Sequence, residues 1–528
     1  MCKIVAEAKE SSEVNNSDPE WERLQLPKSP SIANYSYPIP EMTDFYKQQS
    51  IIEAGFSTDL FVRFSYFILF VFASLREFLQ DYGLKKRMGP AELSKHKGFV
   101  PIIGGKEGLF IRNLYRMGSD VVNHVISGLP GTVVNVKERV TDDFGWSYQF
   151  TGRNLLSTNL GSYNYLGFAE NSGEVPELAA SFIDKYGLYL GTSRSGSVIQ
   201  KIIPELETRI AKYLGVEEAM VCSMGFGTNS MNIPAFIDEK GLILSDSLNH
   251  ASIVLGCRLS GAKIVVFNHN DPVDLEAKLS KALVSSLLLE TPFSKILIVC
   301  EGIYSMEGTI CDLPAILRIK KKYKAYLFVD EAHSIGALGK NGRGVTDYFD
   351  IDPNEVDILM GTLTKSFAGA GGFIAGKSNL IKYLKTKSHD HFYGSTMSPP
   401  VAGQIIGALD CLDEDIDGET EAQIRTKKLI ENTHYFRKLL RDSGFLIYGH
   451  EDSPVVPCMV FYCTKGIHFL RQCLQRGIAL VGVCYPAVPM TKVRIRFCLS
   501  AAHTREQLEE ATNVCNQVAE QVRCKYGI

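Results

Sequence analysis

The residues whose types and spacing could do chemistry centre on Lys365, in the stretch Gly361-Thr-Leu-Thr-Lys365-Ser-Phe-Ala-Gly-Ala-Gly-Gly372. A lysine set among hydroxyls and glycines, just past the apolar segment 356–360, is either a phosphate contact or a nucleophile. A phosphate loop places a glycine directly before its lysine and opens a helix after it. Here Thr364 precedes Lys365 and the glycines crowd the far side, so that reading is poor. A Schiff-base lysine needs small neighbours so that a flat ring can approach, donors for a phosphate, and an acid elsewhere for the ring nitrogen. The glycines then read as clearance for such a ring and for a neighbouring subunit.

Asp330 is placed to be that acid. It ends the apolar run in Tyr326-Leu-Phe-Val-Asp330-Glu-Ala-His333. A carboxylate there keeps a pyridinium nitrogen protonated and makes the ring an electron sink. His333, three residues on, could reach a phenolic oxygen of the same ring. Asp-x-x-His alone is weak evidence, because an acid and a histidine after a strand often only cap a turn. Lys365 one βα unit later makes it much stronger. Gly225 and Phe226, in Cys222-Ser-Met-Gly225-Phe226-Gly-Thr-Asn229, mark a turn before a helix whose backbone N–H groups could hold a phosphate; the plainer alternative is an ordinary strand-to-helix turn. His250, in Ser245-Asp-Ser-Leu-Asn-His250-Ala-Ser252, could stack on the ring, although a lone histidine at a strand end is more often structural.

The elements that must position these groups follow from texture. Short apolar segments at 295–300, 325–329 and 356–360 alternate with helical ones such as 313–322, the pattern of a mostly parallel α/β sheet with active-site residues at the strand C-terminal ends. The run Lys320-Lys-Lys322 reads as a solvated helix end. Beyond residue 404, a helix at 421–440, strands at 445–448, 455–462 and 493–499 and a final helix at 504–522 predict a smaller α+β domain. The expected division is a polar leader (1–55), a membrane-associated helix (56–80), a connecting region (81–155) with strands at 131–136 and 146–150, the large domain (156–404) and the small domain (405–528). The apolar run 60–75, broken only by Arg63, is somewhat short of the ~20 residues a spanning helix needs, so it either spans with Arg63 snorkelling or lies in the interface. Arg76, Lys85, Lys86 and Arg87 follow it and predict a cytosolic body. A net charge of -3 gives no electrostatic case for nucleic acid, and thirteen cysteines without a CxxC pair or zinc-ligand spacing suit buried free thiols.

Four motifs, Gly361–Gly372, Val329-Asp-Glu-Ala-His333, Asn249-His-Ala-Ser252 and Ser500-Ala-Ala-His-Thr504, together resemble the pyridoxal-phosphate α-oxoamine synthases. Longer stretches from about residue 60 to the end, among them Gly161-Ser-Tyr-Asn-Tyr-Leu-Gly-Phe168, Gly227-Thr-Asn-Ser-Met-Asn-Ile-Pro234, Glu301-Gly-Ile-Tyr-Ser-Met-Glu-Gly308 and Arg112-Asn-Leu-Tyr115, resemble the lysine-bearing subunits of the serine palmitoyltransferase branch. The resemblance implies a fold-type I transferase that condenses L-serine with a long-chain acyl-CoA, with loss of carbon dioxide, in sphingolipid synthesis. It implies a heterodimer with a lysine-free subunit, at the endoplasmic reticulum membrane. Lys365 would carry pyridoxal 5'-phosphate, Asp330 would pair with the pyridine nitrogen, His333 with the phenolic oxygen, and His250 would stack. Thr362, Thr364, Gly225 and Phe226 would hold the phosphate, and Arg496 the substrate carboxylate. Arg494 is the alternative, since strand alternation puts both arginines on one face.

The chain departs from the family text in Ser193-Arg194-Ser-Gly-Ser-Val198-Ile-Gln-Lys-Ile-Ile203: Val198 stands in place of a glycine and Ile203 in place of a histidine. The bulk of valine bears on acyl-chain choice or activity. Two other readings are an α-oxoamine synthase with a different amino acid or acyl chain, and a non-catalytic regulatory paralogue.

Overall fold

The computed structural model describes residues 49, 53–86, 98–99, 105–143, 145–189, 191 and 201–527. Arg194, Val198 and nearly all of the expected leader lie outside the described residues. Ile203 is half-buried on a helix, Ile202–Leu214, and packs on the main core.

Helix α1 is Phe56–Asp81 and helix α2 Gly105–Asn113; strands β1, Val133–Val140, and β2, Gln149–Asn159, form an antiparallel ribbon. The central sheet has seven strands: β3 (Glu218–Cys222), β4 (Leu242–Asp246), β5 (Lys263–Phe267), β6 (Ile296–Glu301), β7 (Tyr326–Asp330), β8 (Ile358–Thr362) and β9 (Gly372–Gly376), in the order β3-β9-β8-β7-β6-β4-β5. All pairings are parallel except those of β9, which runs antiparallel to both neighbours. Every residue of β6 is buried, as continuous apolar text in a sheet covered on both faces requires. Because β6, β7 and β8 run side by side in one direction, Glu301 and Asp330 are register partners and Asp330 pairs with Met360, so their C-terminal ends lie together.

Lys365 lies in the link between β8 and β9, and that link turns straight back: Thr362 is paired with Gly372 across the two strands. The glycines expected to give clearance to a cofactor are used by the turn itself. A Cβ on Gly371 would stand 2.2 Å from the Cys222 carbonyl oxygen, and its φ of +90° is one that L side chains rarely adopt. A Cβ on Gly361 would lie 2.3 Å from the Phe373 ring.

The C-terminal unit is built on a three-stranded antiparallel sheet, β10 (Val455–Phe461), β11 (Val481–Val483) and β12 (Val493–Cys498), with β12 in the middle. Two helices, Glu421–Asp442 and Arg505–Val522, each open with a capping box, Thr420 with Gln423 and Thr504 with Gln507. The segment 445–448, expected as a strand, contributes one bridge, Ile447 with Cys458. Its neighbour Tyr448 donates to the Pro457 carbonyl, and proline has no N–H to return the bond. The connecting region also packs here: Ile478–Ala479 adds to β2 in parallel, and the buried His503 bridges the Ser500 amide and the Asn159 carbonyl. The lysine run ends its helix with Lys321 and Lys322 exposed, as expected, and each lysine also has an acidic partner. Lys320 pairs with Asp357, Lys321 with Glu355 and Lys322 with Glu276, tying the helix Leu313–Tyr323 to its neighbours.

Helix α1 is long and apolar enough to cross a membrane. One stripe of it, Val62, Tyr66 and Ala73, packs with Met459, Phe461, Cys463 and Val493 of the C-terminal unit. Near its end Glu77 accepts both Arg112 Nε (2.9 Å) and Nη2 (3.1 Å), and also Asn113 Nδ2 (2.9 Å). The other face exposes Phe61, Phe64, Phe67, Phe72 and Leu75.

The Gly371 turn makes a direct prediction. Gly371→Ala must move β3 or β9, at a cost of about 2 kcal/mol or more, and thermal unfolding of the purified variant is expected to begin several degrees below that of the wild type.

Candidate active site

Segments distant in sequence meet at the C-terminal ends of β6, β7 and β8. Asp330 closes β7 and is buried; its Oδ2 accepts the Asn229 amide at 2.7 Å and its Oδ1 accepts the Ala332 N–H at 2.8 Å. These bonds take the place of water around the carboxylate. Beyond it, His333 is buried and paired through Nδ1 with the Tyr165 hydroxyl at 2.8 Å. Burial holds its imidazole well below the usual histidine range, and Lys365, Arg496 and His250 add to the effect.

Lys365 extends toward the same space, with Nζ 5.7 Å from the centre of the Tyr163 ring. Removal from water lowers its ammonium to about 8; the Asp330 and Glu301 carboxyls oppose that shift and Arg496 adds to it. Tyr163 is also in edge contact with His333, ring centres 4.7 Å apart, and carries the Arg496 guanidinium over its face at 4.6 Å.

The two arginines of β12 have different surroundings. Arg494 is committed to structure, donating to the Met306 carbonyl (2.9 Å), Glu307 Oε1 (3.1 Å) and the Lys492 carbonyl (2.9 Å). Arg496 makes long contacts to the Ser305 carbonyl and Met306 Sδ, both 3.4 Å, and lies beside the Cys498 thiol, while its buried Nε has no hydrogen-bond partner among the described residues. An unpaired buried N–H is costly unless a ligand accepts it.

His250 caps the helix α3, Ala251–Leu259, accepting from the Ser252 N–H, and its own N–H donates to Glu301 Oε1 at 2.5 Å. Burial lowers its imidazole below the ordinary value, Asp330 opposing and Lys365 assisting. The Phe226 ring meets it edge-on at 6.0 Å. On the far side, the Thr362 and Thr364 hydroxyls are 2.8 Å apart, and a Cβ on Gly225 would stand 2.8 Å from Thr362 Oγ1. Every predicted site residue thus falls in one neighbourhood. Tyr163, Tyr165, Asn229, Ser252 and Glu301 join it without having been picked out. All five lay inside motif text already recognised, but a tyrosine or asparagine in a strand-end loop has no spacing that marks it.

Such a cluster can hold a flat, phosphate-bearing ring, present an amine to it, and bind a carboxylate. The family model for aminotransferases of class I and II matches residues 157–514. The chain is 47% identical over 461 residues to serine palmitoyltransferase 3 of Caenorhabditis elegans, covering 87% of this chain and 90% of that protein. It is 44% identical over 490 residues to serine palmitoyltransferase 3 of Homo sapiens, covering 92% of this chain and 89% of the human protein. Among solved structures, the high-resolution structure of SPT with a PLP internal aldimine has a TM-score of 0.70 at 24% identity, covering 80% of this chain and all (100%) of the other, a likeness of fold. The strands that bring Lys365, Asp330 and Arg496 together and the relatives agree: the chain belongs to the class I and II aminotransferase family and, within it, to the serine palmitoyltransferases.

Proposed function

We propose that this chain is the lysine-bearing, pyridoxal-phosphate-dependent subunit of a serine C-palmitoyltransferase. It joins the Cα of L-serine to the acyl carbonyl of a long-chain acyl-CoA, releases CoA and carbon dioxide, and forms 3-ketodihydrosphingosine, the opening step of sphingolipid synthesis. The observation that carries this reading is the meeting of Lys365, His333 and an Arg496 with an unpaired Nε around one tyrosine, with the Asp330 carboxylate close enough to act on Lys365.

The residues present fit pyridoxal phosphate. Asp330 offers a fixed, buried carboxylate to a ring nitrogen, and glycine at 225 keeps the Thr362 and Thr364 hydroxyls clear for a phosphate that the Gly225 and Phe226 amides would also hold. Bound there, the cofactor supplies an aldehyde that takes up an amine and a ring that draws in the electron pair left at Cα. Lys365, lowered to about 8, is neutral often enough near neutral pH to attack a carbonyl and, once released, to take the Cα proton on Nζ. His250 would cover one face of the ring, and His333 would meet its phenolic oxygen uncharged. The planar fork of Arg496 holds the serine carboxylate.

A lysine-free second subunit completes the site from the side where Met224, Phe226, Met231, Leu255 and Leu259 are exposed, an apolar patch beside the cofactor position. The catalytic body sits on the cytosolic face of the endoplasmic reticulum membrane. Helix α1 lies along that face, because Val62, Tyr66, Ala73 and Glu77 hold it to the body over four turns while its phenylalanines face away. Both the acyl donor and the product partition into lipid, which suits a site next to it. We also propose that the chain divides functionally into the leader, helix, connecting, large and small regions expected from sequence, with the connecting region docked on the small one.

Co-expressed with the partner subunit, the wild type is expected to show a cofactor absorbance band that Lys365→Ala lacks, and to release CoA from palmitoyl-CoA only when serine is present; identical spectra for the two proteins would end the catalytic reading. The lysine also has a pH signature. Its folded value of about 8 lies below the 10.5 of an unperturbed lysine, so between them the unfolded chain binds more protons and stability rises with pH. Denaturant midpoints of the cofactor-free complex at the two ends of that window are expected to show a rise worth up to about 3 kcal/mol that Lys365→Met abolishes. Replacing Phe64, Phe67 and Phe72 together by serine is expected to reduce flotation with anionic vesicles at least tenfold and to leave turnover in detergent within twofold.

A further inference from the structure

We propose that Asn229 and Ser252 are positioning residues that fix His250 in one tautomer and couple it to the acid at Asp330. The proposal rests on the reading above, in which His250 and Asp330 both meet the cofactor. The Asn229 amide nitrogen has two protons and uses both, one toward Asp330 Oδ2 at 2.7 Å and one toward Ser252 Oγ at 2.9 Å. With its oxygen accepting from Asn229, the Ser252 hydroxyl has a proton to give, and His250 Nδ1 stands 2.7 Å away. The Ser252 main-chain N–H reaches the same Nδ1 at 3.3 Å. A main-chain N–H only donates, so Nδ1 is the acceptor and the ring carries its proton on Nε2.

Donation therefore runs one way, from Asn229 through Ser252 to His250. Asn229 and Ser252 are each 1% exposed, so no solvent substitutes for either bond. The groups facing the imidazole from neighbouring elements are Asp330 at the end of β7, His333 beyond it and Lys365 in the hairpin, with the Phe226 ring at its edge, while Glu301 at the end of β6 holds the main-chain N–H of the same residue. A proton on Nδ1 would face two donors and break the relay, so the network holds the ring neutral beside a titrating lysine. Nε2–H is then the single donor the ring can offer to a ligand. One asparagine thus sets both the carboxylate beneath the ring nitrogen and the imidazole that covers the ring.

The test uses the cofactor-free complex with its partner subunit, so that the result does not depend on loading. Diethyl pyrocarbonate acylates neutral imidazole, and mass spectrometry of the His250 peptide across pH gives the midpoint of that one histidine. Removing the hydroxyl in Ser252→Ala takes away a bond that favours the neutral ring, so the midpoint is expected to rise by about half a unit to one unit. Ser252→Thr, which keeps the hydroxyl, is expected to restore it, and Ser252→Cys, a weaker donor of similar size, to give a smaller rise if the alanine variant folds poorly. Exposed His389 and His468 serve as internal controls. An unchanged His250 midpoint in Ser252→Ala, or equal shifts at the control histidines, overturns the proposal. Failure of the Lys365→Ala comparison would instead overturn the catalytic reading and leave the His250 shift standing.

Discussion

A carboxylate kept out of water is the constraint on which the rest of the site depends. Asp330 sits at the end of a strand buried on both faces, where an unpaired charge is costly. The fold meets that cost with two fixed N–H groups, one from the turn at Ala332 and one from Asn229 on the next layer. Those donors fix the carboxylate in direction as well as in charge. Glu301 is its register partner one strand over; burial and the Asp330 charge hold its carboxyl well above the usual range. It takes the main-chain N–H of His250, so the second acid serves as a positioned acceptor.

The parallel sheet turns that local arrangement into a site. Strands running side by side finish together, so residues separated by long stretches of chain arrive at one edge without a loop having to reach across. The exception is instructive. The antiparallel β9 lets the chain reverse directly after Lys365, which holds the lysine in a tight hairpin between paired strands rather than at the start of a mobile connection. Glycines there serve the reversal first, as the near contact of position 371 with the Cys222 carbonyl demands.

Lysine, acid and histidines were legible in the sequence because each ends an apolar segment, and burial periodicity locates strand ends well. The packing partners were not. Tyr163 and Asn229 reach the site through loops and a short helix whose geometry depends on contacts from other layers, and nothing in their local text distinguishes them from any polar residue in a turn. Alternation puts Arg494 and Arg496 on one face, so the choice of Arg496 rested on the resemblance; in the fold Glu307 claims Arg494, and Tyr163 lies beneath Arg496. The strand expected at 445–448 failed for a chemical reason, a proline opposite it, visible in the sequence only once the pairing is known.

The seat of helix α1 carries a consequence for how the chain is made. The helix comprises residues 56–81, whereas the side chains it rests on, Met459 and Phe461 of β10, Cys463 at the start of the next helix and Val493 of β12, lie far along the chain. At roughly 5–20 residues per second, synthesis of the intervening chain takes on the order of 20 to 80 s. For all of that time an apolar helix is outside the ribosome with no protein surface to cover it. β12, the middle strand of its seat, emerges only after all of that chain, so docking cannot precede its synthesis. The nascent helix must therefore be sheltered by something other than its own seat until the unit that later holds it in place has folded.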